Sequence, residues 1–281
     1  MRWTWDETLY AGSAEYYTVG RLPYSDAIGD ALREELGLDG TGRLLDVGTG
    51  TGQIALLLAP LFAEVVGVDA DADMIAEAER AAARRGRPRI VWIHARAEEL
   101  PLELGRFQVA TFAQSFHWMD RERVASTVVG MLEPGGSWVH VDATTHHGAE
   151  GRSDLRFPPP PRAEIAELVR RFLGAVRRAG RGTLPSGTPA DEEEVMLGAG
   201  FAGPRRRLVP GGRTFERSED EIVASVYSTS SSAPHLFGPN RDEFDRELRR
   251  LLRRVSPERR FSEREHDVEL VIWTRPAGAA A

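Results

Sequence analysis

The chain has 281 residues, of which 41% are hydrophobic and 28% charged, a composition typical of a soluble globular protein and not of a disordered or fibrous one. Its formal net charge of −7 disfavours non-specific binding to a polyanion, so we expect no nucleic-acid partner. Lysine and cysteine are both absent, which excludes Schiff-base lysines, the lysine of a P-loop, disulfides, thiol nucleophiles and cysteine-bound zinc.

The N-terminal ten residues lack the basic stretch and the apolar run of a secretory signal. The longest apolar run, residues 54–63, is about half as long as a membrane span. We therefore expect a cytoplasmic protein with no membrane partner.

From Arg43 onwards, short apolar runs alternate with helical stretches. The runs LLDV, EVVGVD, IVWIHA, FQVATFA and SWVHVDA read as strands, and helices are expected to begin at Gln53 and Asp73. This alternation predicts βαβ units in a parallel sheet with helices on both faces. Strands covered on both faces are continuously apolar, as these are.

The pattern changes after Asp142. Residues 158–161 are four prolines, which predict a stiff connector before a helix over 163–178, and a further helix over 191–197 is expected to end at Gly198 and Gly200. Two more helices are predicted over 219–228 and 241–255.

The last of these helices places Phe244, Leu248, Leu251 and Val255 on one face. Residues 205–209 and 268–273 are candidate strands. If they pair antiparallel, the helices between them form an insertion at one edge of the sheet.

The most informative segment is LLDVGTGTGQ, where a strand runs through Asp46 into Gly48, Gly50 and Gly52. Glycines permit a tight turn there and allow backbone N–H groups to approach a ligand. Gln53 departs from the NAD fingerprint, which disfavours an NAD-dependent oxidoreductase. The carboxylate of Asp46 suits a ligand with an ammonium or sulfonium group better than a pyrophosphate.

The second strand ends at Asp69, seventeen residues after Gly52. An acid at this position can accept hydrogen bonds from both hydroxyls of a ribose. The sequence therefore predicts an adenosine-containing ligand.

The segments DVGTGTG and GVDADADM resemble the cofactor-binding motifs of class I S-adenosylmethionine-dependent methyltransferases. The resemblance implies a Rossmann-like, doubly wound α/β fold, with a mostly parallel seven-stranded sheet, an antiparallel last strand and helical lid insertions. It also implies S-adenosylmethionine as cofactor and a small-molecule methyl acceptor, with a carboxylate and a hydroxyl as the candidate acceptor groups.

By the same resemblance, the methionine part of the cofactor would lie against Asp46 and the glycine loop. The ribose would lie against Asp69. The adenine would lie against Met74, Ala97 and Glu98. The segment ARAEELPL matches the family's DAExLP stretch, with Arg96 where many relatives have an aspartate. The remaining expected cofactor contacts are Thr49, Gln53, Ala70, Ala113 and Gln114.

The segment AQSFHWMD is similar to the AQxxHWxD stretch of small-molecule methyltransferases, some of which form methyl esters. It implies that His117 and Trp118 face the transferable methyl group. His117 would act as a base on a hydroxyl or amine acceptor, or only orient a carboxylate, which needs no base. Upstream, YYTVGRLPYS resembles the family's YxxxRPxYP stretch, so Tyr17, Arg21 and Tyr24 would form a lid, with Arg21 pairing the cofactor carboxylate.

Residues 1–281 are expected to form a single methyltransferase domain. Its parts would be an N-terminal lid over 1–30, a cofactor-binding core over 40–145, and a C-terminal half over 146–281 with helical insertions at about 160–200 and 216–262. The acceptor is expected under the lid, between residues 10–25 and the helices after residue 216.

Several alternatives remain open at this stage. An RNA methyltransferase shares the core, and so does a protein that uses the cofactor for a role other than methyl transfer. We expect His146 and His147 to be solvated and to bind no metal. The sequence leaves the oligomeric state open.

Overall fold

The computed structural model describes residues 8–86, 90–149, 155–179, 182–183 and 191–278. The strands within these ranges are β1 Arg43–Val47, β2 Glu64–Asp69, β3 Ile90–His94, β4 Phe107–Ala113, β5 Leu132–Asp142, β6 Arg178–Ala179, β7 Gly182–Thr183, β8 Ala202–Val209, β9 Thr214–Ser218, β10 Arg260–Arg264 and β11 Val268–Thr274. The α-helices are α1 Ala14–Gly20, α2 Ala27–Leu36, α3 Gln53–Leu58, α4 Ala72–Arg84, α5 Arg121–Met131, α6 Arg162–Leu173, α7 Glu192–Gly198, α8 Glu219–Tyr227 and α9 Arg241–Val255.

Seven of the strands form one sheet in the order β3-β2-β1-β4-β5-β11-β8. Strands β1 to β5 pair in parallel with their neighbours, and β11 pairs antiparallel with both β5 and β8. The predicted Rossmann-like sheet with an antiparallel last strand is therefore confirmed. So is the predicted antiparallel pairing of the segments near 205–209 and 268–273, which begins at Val209 opposite Val268.

The sheet is covered on both faces, which explains the continuously apolar strands. One apolar cluster packs α2 and α3 against one face, with Ile28, Leu44 and Ile54 almost fully buried. The other cluster packs α5 and α7 against the opposite face, around Phe112 and Trp138. Because both faces are occupied, only the edge at the carboxyl ends of the strands is left for a ligand.

The predicted helix over 163–178 is shorter than expected. Helix α6 ends at Leu173, because Gly174 follows with φ 82° and breaks the helical backbone. Residues 178–179 instead form β6, which pairs with β7.

The apolar face of α9 is also shifted from the prediction. Phe244, Leu248 and Leu252 are fully buried, whereas Val255 is 37% exposed. Phe244, Leu248 and Leu252 lie against α6 and α8 in a third apolar cluster.

The insertion between β8 and β11 is not wholly helical, because β9 and β10 pair antiparallel within it. Their segments TFERS and RFSER lack the apolar alternation of a typical strand. Their buried positions include Arg217 and Glu263, which pair with each other, so the polarity pattern gave no sign of strands.

Helix α1 lies against α8, and Gly20 is at the point of closest approach. A Cβ atom at Gly20 would lie 2.4 Å from the backbone carbonyl carbon of Ala224. Arg217 donates a hydrogen bond to the Gly20 carbonyl at 2.9 Å. The C-terminal insertion therefore fixes the N-terminal segment over the sheet edge. None of the described helices has the length and apolar character needed to cross a membrane.

Candidate active site

A cavity opens at the carboxyl ends of β1, β2 and β4. Its wall includes the glycine loop after β1, the acidic end of β2, the segment after β4, and Tyr10 and Tyr17 from the N-terminal segment. This is the edge of an open α/β sheet at which ligands bind.

The loop after β1 is built from glycines in left-handed conformations. Gly48 has φ 67° and Gly50 has φ 55°. A side chain at Gly48 would collide with Ser115, whereas a Cβ at Gly50 would meet nothing within 4 Å. Gly50 therefore presents its backbone to the open cavity, as a loop that holds a ligand must.

Asp69 lies in the wall of this cavity. Its carboxylate accepts hydrogen bonds from the backbone N–H of Gly50 at 2.7 Å and of Asp71 at 2.9 Å. Burial raises the pKa of Asp69 to about 6, against the opposing effect of these two hydrogen bonds. The group is thus poised to accept hydrogen bonds from a ligand that enters beside it.

Asp46 does not line the cavity. It is 1% exposed, and its two carboxylate oxygens accept hydrogen bonds from Thr49 at 2.5 Å and from Thr111 at 2.7 Å. Burial raises the pKa of Asp46 above its ordinary value. In this structure Asp46 supports the glycine loop from below and contacts a neighbouring strand.

Arg21 lies behind Tyr17, with its guanidinium carbon 4.4 Å from the centroid of the Tyr17 ring. It donates hydrogen bonds to the Thr145 hydroxyl at 3.3 Å and the Ser228 carbonyl at 2.8 Å. Its Nε atom is buried and has no hydrogen-bond partner among the described residues, and Arg21 forms no ion pair with a described acid. A half-buried arginine without a counter-charge among the described residues can pair with the anionic group of a ligand.

His117 and Trp118 point into different spaces. Trp118 lines the cavity, where its ring is 6.1 Å from that of Tyr10 in an edge-to-face arrangement. His117 instead lines a second cavity on the other side of Gln114. Burial lowers the pKa of His117 to about 4, so the imidazole is neutral at pH 7.

Gln114 separates the two cavities and lines both. Its backbone has φ 54°, a left-handed conformation that is uncommon for a residue with a side chain. The side-chain amide donates a hydrogen bond to Asp142 at 2.6 Å, which holds it at the end of β5.

The first cavity brings together eleven of the residues expected from the sequence: Tyr17, Gly48, Gly50, Asp69, Ala70, Met74, Ala97, Glu98, Ala113, Gln114 and Trp118. The expected residues that do not line it are Arg21, Asp46, Thr49, Gly52, Gln53 and His117. The sequence reasoning missed seven lining residues: Leu9, Tyr10, Val68, Asp71, Ala95, Ser115 and Met119. Five of them had a visible signal: Val68 and Asp71 belong to the GVDADADM segment, Ala95 to ARAEELPL, and Ser115 and Met119 to AQSFHWMD.

The histidines after β5 differ from the expectation of a solvated pair. His146 and His147 are partly buried and lie edge to face at 4.5 Å, and His147 also contacts His266. Burial lowers the pKa of His146 to about 2. Among the described residues, no group of three or more histidines and acids is arranged to hold a metal ion.

Comparison with known proteins agrees with this geometry. A family model described as a methyltransferase domain matches residues 44–136. A demethylmenaquinone methyltransferase from Thermus thermophilus is 34% identical over 179 residues, which cover 57% of this chain and 74% of the relative. A ubiquinone/menaquinone biosynthesis C-methyltransferase from a Geobacter species is 35% identical over 118 residues, covering 40% of this chain and half of the relative.

Solved structures show the same fold at low sequence identity. The YcgJ protein of Bacillus subtilis aligns with a TM-score of 0.51 at 16% identity, covering 89% of this chain and 98% of that protein. The [4+2]-cyclase SpnF aligns with a TM-score of 0.50 at 21% identity, covering 92% of this chain and 85% of that protein. The fold therefore serves more than one reaction.

The family model lies on the segment that carries the glycine loop, Asp69 and Gln114, and the Thermus relative extends the match to three quarters of its own length. The cavity, the sheet order and these matches agree. The chain belongs to the class I S-adenosylmethionine-dependent methyltransferases.

Proposed function

We propose that the protein transfers the methyl group of S-adenosylmethionine to a small molecule, and that the first cavity holds the cofactor. The observation that carries the proposal is the position of Asp69, whose carboxylate lies in the cavity wall beside the exposed backbone of Gly50. The small-molecule acceptor is supported by the name of the Thermus relative, a demethylmenaquinone methyltransferase.

The donor set fits the two polar ends of the cofactor. Asp69 would accept hydrogen bonds from the ribose hydroxyls, and Met74, Ala97 and Glu98 would lie along the adenine. At the other end, the unpartnered Nε of Arg21 supports pairing with the carboxylate of the methionine part. A small rotation of the Tyr17 ring, which lies between Arg21 and the cavity, would open that contact.

Asp46 has a different role from the one that its place in the glycine motif indicates. Because both of its oxygens are occupied by hydroxyl groups, it would act through the loop and not by contact with the methionine part. Thr49, Gly52 and Gln53 belong to the same support beneath the cofactor.

When bound, the cofactor supplies a methyl group on a positively charged sulfur, and the group passes to an acceptor atom as the carbon–sulfur bond breaks and its electron pair stays on sulfur. The protein's part is positioning and exclusion of water. Tyr10, Tyr17 and Trp118 would form an apolar wall around the reacting atoms. The neutral imidazole of His117 would take a proton from the acceptor only from the side of the second cavity.

Binding measurements on the purified protein test the proposal. We expect calorimetric titration to show binding of S-adenosylmethionine and S-adenosylhomocysteine but not of NAD. Asp69→Ala should weaken S-adenosylhomocysteine binding at least about tenfold, since it removes charge-assisted hydrogen bonds that contribute about 1.5–3 kcal/mol each. Its melting temperature should stay close to that of the wild type.

Asp46→Ala and Asp73→Ala complete the experiment. Asp46→Ala should lower the melting temperature as well as the affinity, because it leaves the buried hydroxyls of Thr49 and Thr111 without their acceptor. Asp73 is exposed and outside the cavity, so Asp73→Ala should leave affinity unchanged. Undiminished binding by Asp69→Ala, or tight binding of NAD alone, would refute the proposed cofactor site.

A further inference from the structure

The second cavity lies beside the cofactor cavity. It is bounded by the ends of β4 and β5, by β11, and by the first turn of α7. Gln114, an expected cofactor contact, lines both cavities, as does Ser115. A molecule in the second cavity would therefore lie beside the proposed cofactor site.

The floor of this cavity is apolar. Phe112, Phe116 and Trp273 contribute to it, but each is at most 2% exposed, so little of each ring is open to a ligand. Val141 and Val271 complete the apolar lining, which suits the apolar body of a small molecule.

The rim of this cavity is acidic, and we call Asp142, Glu192, Glu193 and Glu269 the acidic rim. Only Glu269 has an arginine partner within the described ranges, Arg206 at 2.8 Å. The carboxylate of Glu192 lies 3.2 Å from the His140 imidazole, but burial lowers the pKa of His140 to about 3, so this ring carries no compensating charge. Asp142 accepts a hydrogen bond from the neutral Gln114 amide.

The carboxylates of the acidic rim are partly exposed, and Glu192 has both acidic and basic neighbours. Burial raises the pKa of Glu192, the charges of Arg121 and Arg206 lower it, and those of Asp142 and Asp191 raise it. A carboxylate in this position is stabilised by a positive group brought in from outside. Nothing in the described wall other than the already paired Arg206 could supply one.

We infer that the second cavity binds the methyl acceptor, and that this acceptor carries an ammonium group attached to an apolar or aromatic body. The inference rests on the proposed function, because it is the cofactor in the first cavity that makes the second cavity an acceptor site. Carboxylates attract an ammonium group at short range. A carboxylate-bearing acceptor would instead be repelled by the acidic rim.

Three probes of similar shape test this inference: phenethylamine, 2-phenylethanol and 3-phenylpropanoate, which carry a positive, a neutral and a negative group. Their dissociation constants are measured by ligand-observed NMR at pH 7, with S-adenosylhomocysteine saturating the first cavity. We expect phenethylamine to bind at least about tenfold more tightly than either of the others, the ratio that corresponds to about 1.4 kcal/mol.

Variants of the first turn of α7 locate the site. Glu192→Gln and Glu193→Gln should each weaken phenethylamine binding, and the double variant should remove its advantage over 2-phenylethanol. Glu194→Gln is the matched control, since it removes the same charge from the same helical turn but lies outside the cavity. Affinity for S-adenosylhomocysteine and the melting temperature report whether each variant is folded.

Equal affinities for the three probes would overturn the inference, and so would an equal effect of Glu194→Gln and the double variant. In either case intact binding of S-adenosylhomocysteine would leave the proposed function standing. Loss of that binding in the wild-type protein would instead remove the proposed function.

Discussion

Asp69 shows how burial and a local backbone turn together set the chemistry of one residue. Its carboxylate is held by two backbone N–H groups while burial raises its pKa to about 6. A carboxylate that must accept hydrogen bonds from two ribose hydroxyls is effective only when ionised. Cofactor affinity should therefore depend on pH close to neutrality, and not only in strongly acidic solution.

We predict that S-adenosylhomocysteine binds about tenfold more weakly at pH 5 than at pH 7.5, because one pH unit below the pKa about a tenth of Asp69 is ionised. The affinity should rise as the pH passes upward through 6 and then level off. Asp69→Asn should bind more weakly at pH 7.5 and lose this pH dependence. Calorimetric titration across the range measures both effects, and a pH profile that persists in Asp69→Asn would assign it to another group.

The same residue has an opposite effect on the stability of the unliganded protein. Because the pKa of Asp69 in the folded protein lies above the ordinary aspartate value of 3.8, its contribution to stability is present below pH 3.8 and is lost as the pH rises through 6. Ligand binding restores a partner for the ionised form. Burial of Asp69 therefore lowers the stability of the unliganded protein at neutral pH, where the ionised carboxylate is needed to bind the cofactor.

At the scale of elements, the contact between α1 and α8 decides where the N-terminal residues lie. Tyr17 and Arg21 are on or just after α1, and Gly20 lets this helix approach the backbone of α8. Ser13 strengthens the contact by donating a hydrogen bond to the Tyr227 carbonyl at 3.0 Å. The N-terminal segment is therefore held in place by its contacts with α8, and not by interactions within the segment itself.

We predict that Gly20→Ala weakens S-adenosylhomocysteine binding several-fold and lowers stability by about 1–3 kcal/mol, the usual cost of overpacking. The new Cβ would lie 2.4 Å from backbone atoms of Ala224 and Ser225, so α1 must move. Hydrogen exchange should increase in residues 13–22. Val19→Ala is the matched control, because Val19 is 51% exposed on the same helix.

Wild-type affinity and hydrogen exchange in Gly20→Ala would contradict this account of the lid. It would show that the cofactor cavity does not depend on the approach of α1 to α8.

Across the whole molecule, one buried carboxylate joins segments that are far apart in the chain. Glu263 on β10 pairs with Arg162 on α6 at 2.6 Å and with Arg217 on β9 at 3.0 Å. It also accepts a hydrogen bond from the backbone of Gly148, in the segment after β5. Since Arg217 in turn holds the Gly20 carbonyl, this cluster connects the insertion, the sheet and the lid.

We predict that Glu263→Gln destabilises the protein by about 3–5 kcal/mol, because it leaves Arg217 and Arg162 without their shared counter-charge. Denaturant unfolding gives the free energy. Glu216→Gln on the neighbouring strand is the control, since Glu216 pairs with Arg260 at the surface and its replacement should cost much less stability. Similar losses for the two variants would show that the buried cluster has no special role.

Much of the fold follows from local patterns in the chain. Each parallel strand is an apolar run of the length that spans a covered sheet, and α-helices follow β1, β2 and β4, so strand type and the order of these elements were predictable. The glycine loop was equally readable, because only glycine adopts its left-handed angles readily. The β9–β10 pair was not, since buried charges replaced the apolar alternation there.

The sequence by itself determined that a Rossmann-like sheet carries a glycine loop and an acid at the ends of its first two strands. These features depend on backbone conformation and on neighbours in the chain. Only the tertiary structure decided that Asp46 lies beneath the loop, that His117 lines a second cavity while its ring contacts that of Trp118, and that Arg21 forms no ion pair with a described acid. Those outcomes depend on side chains from distant segments, such as Thr111, Asp142 and Ser228, whose packing fixes burial and charge at the site.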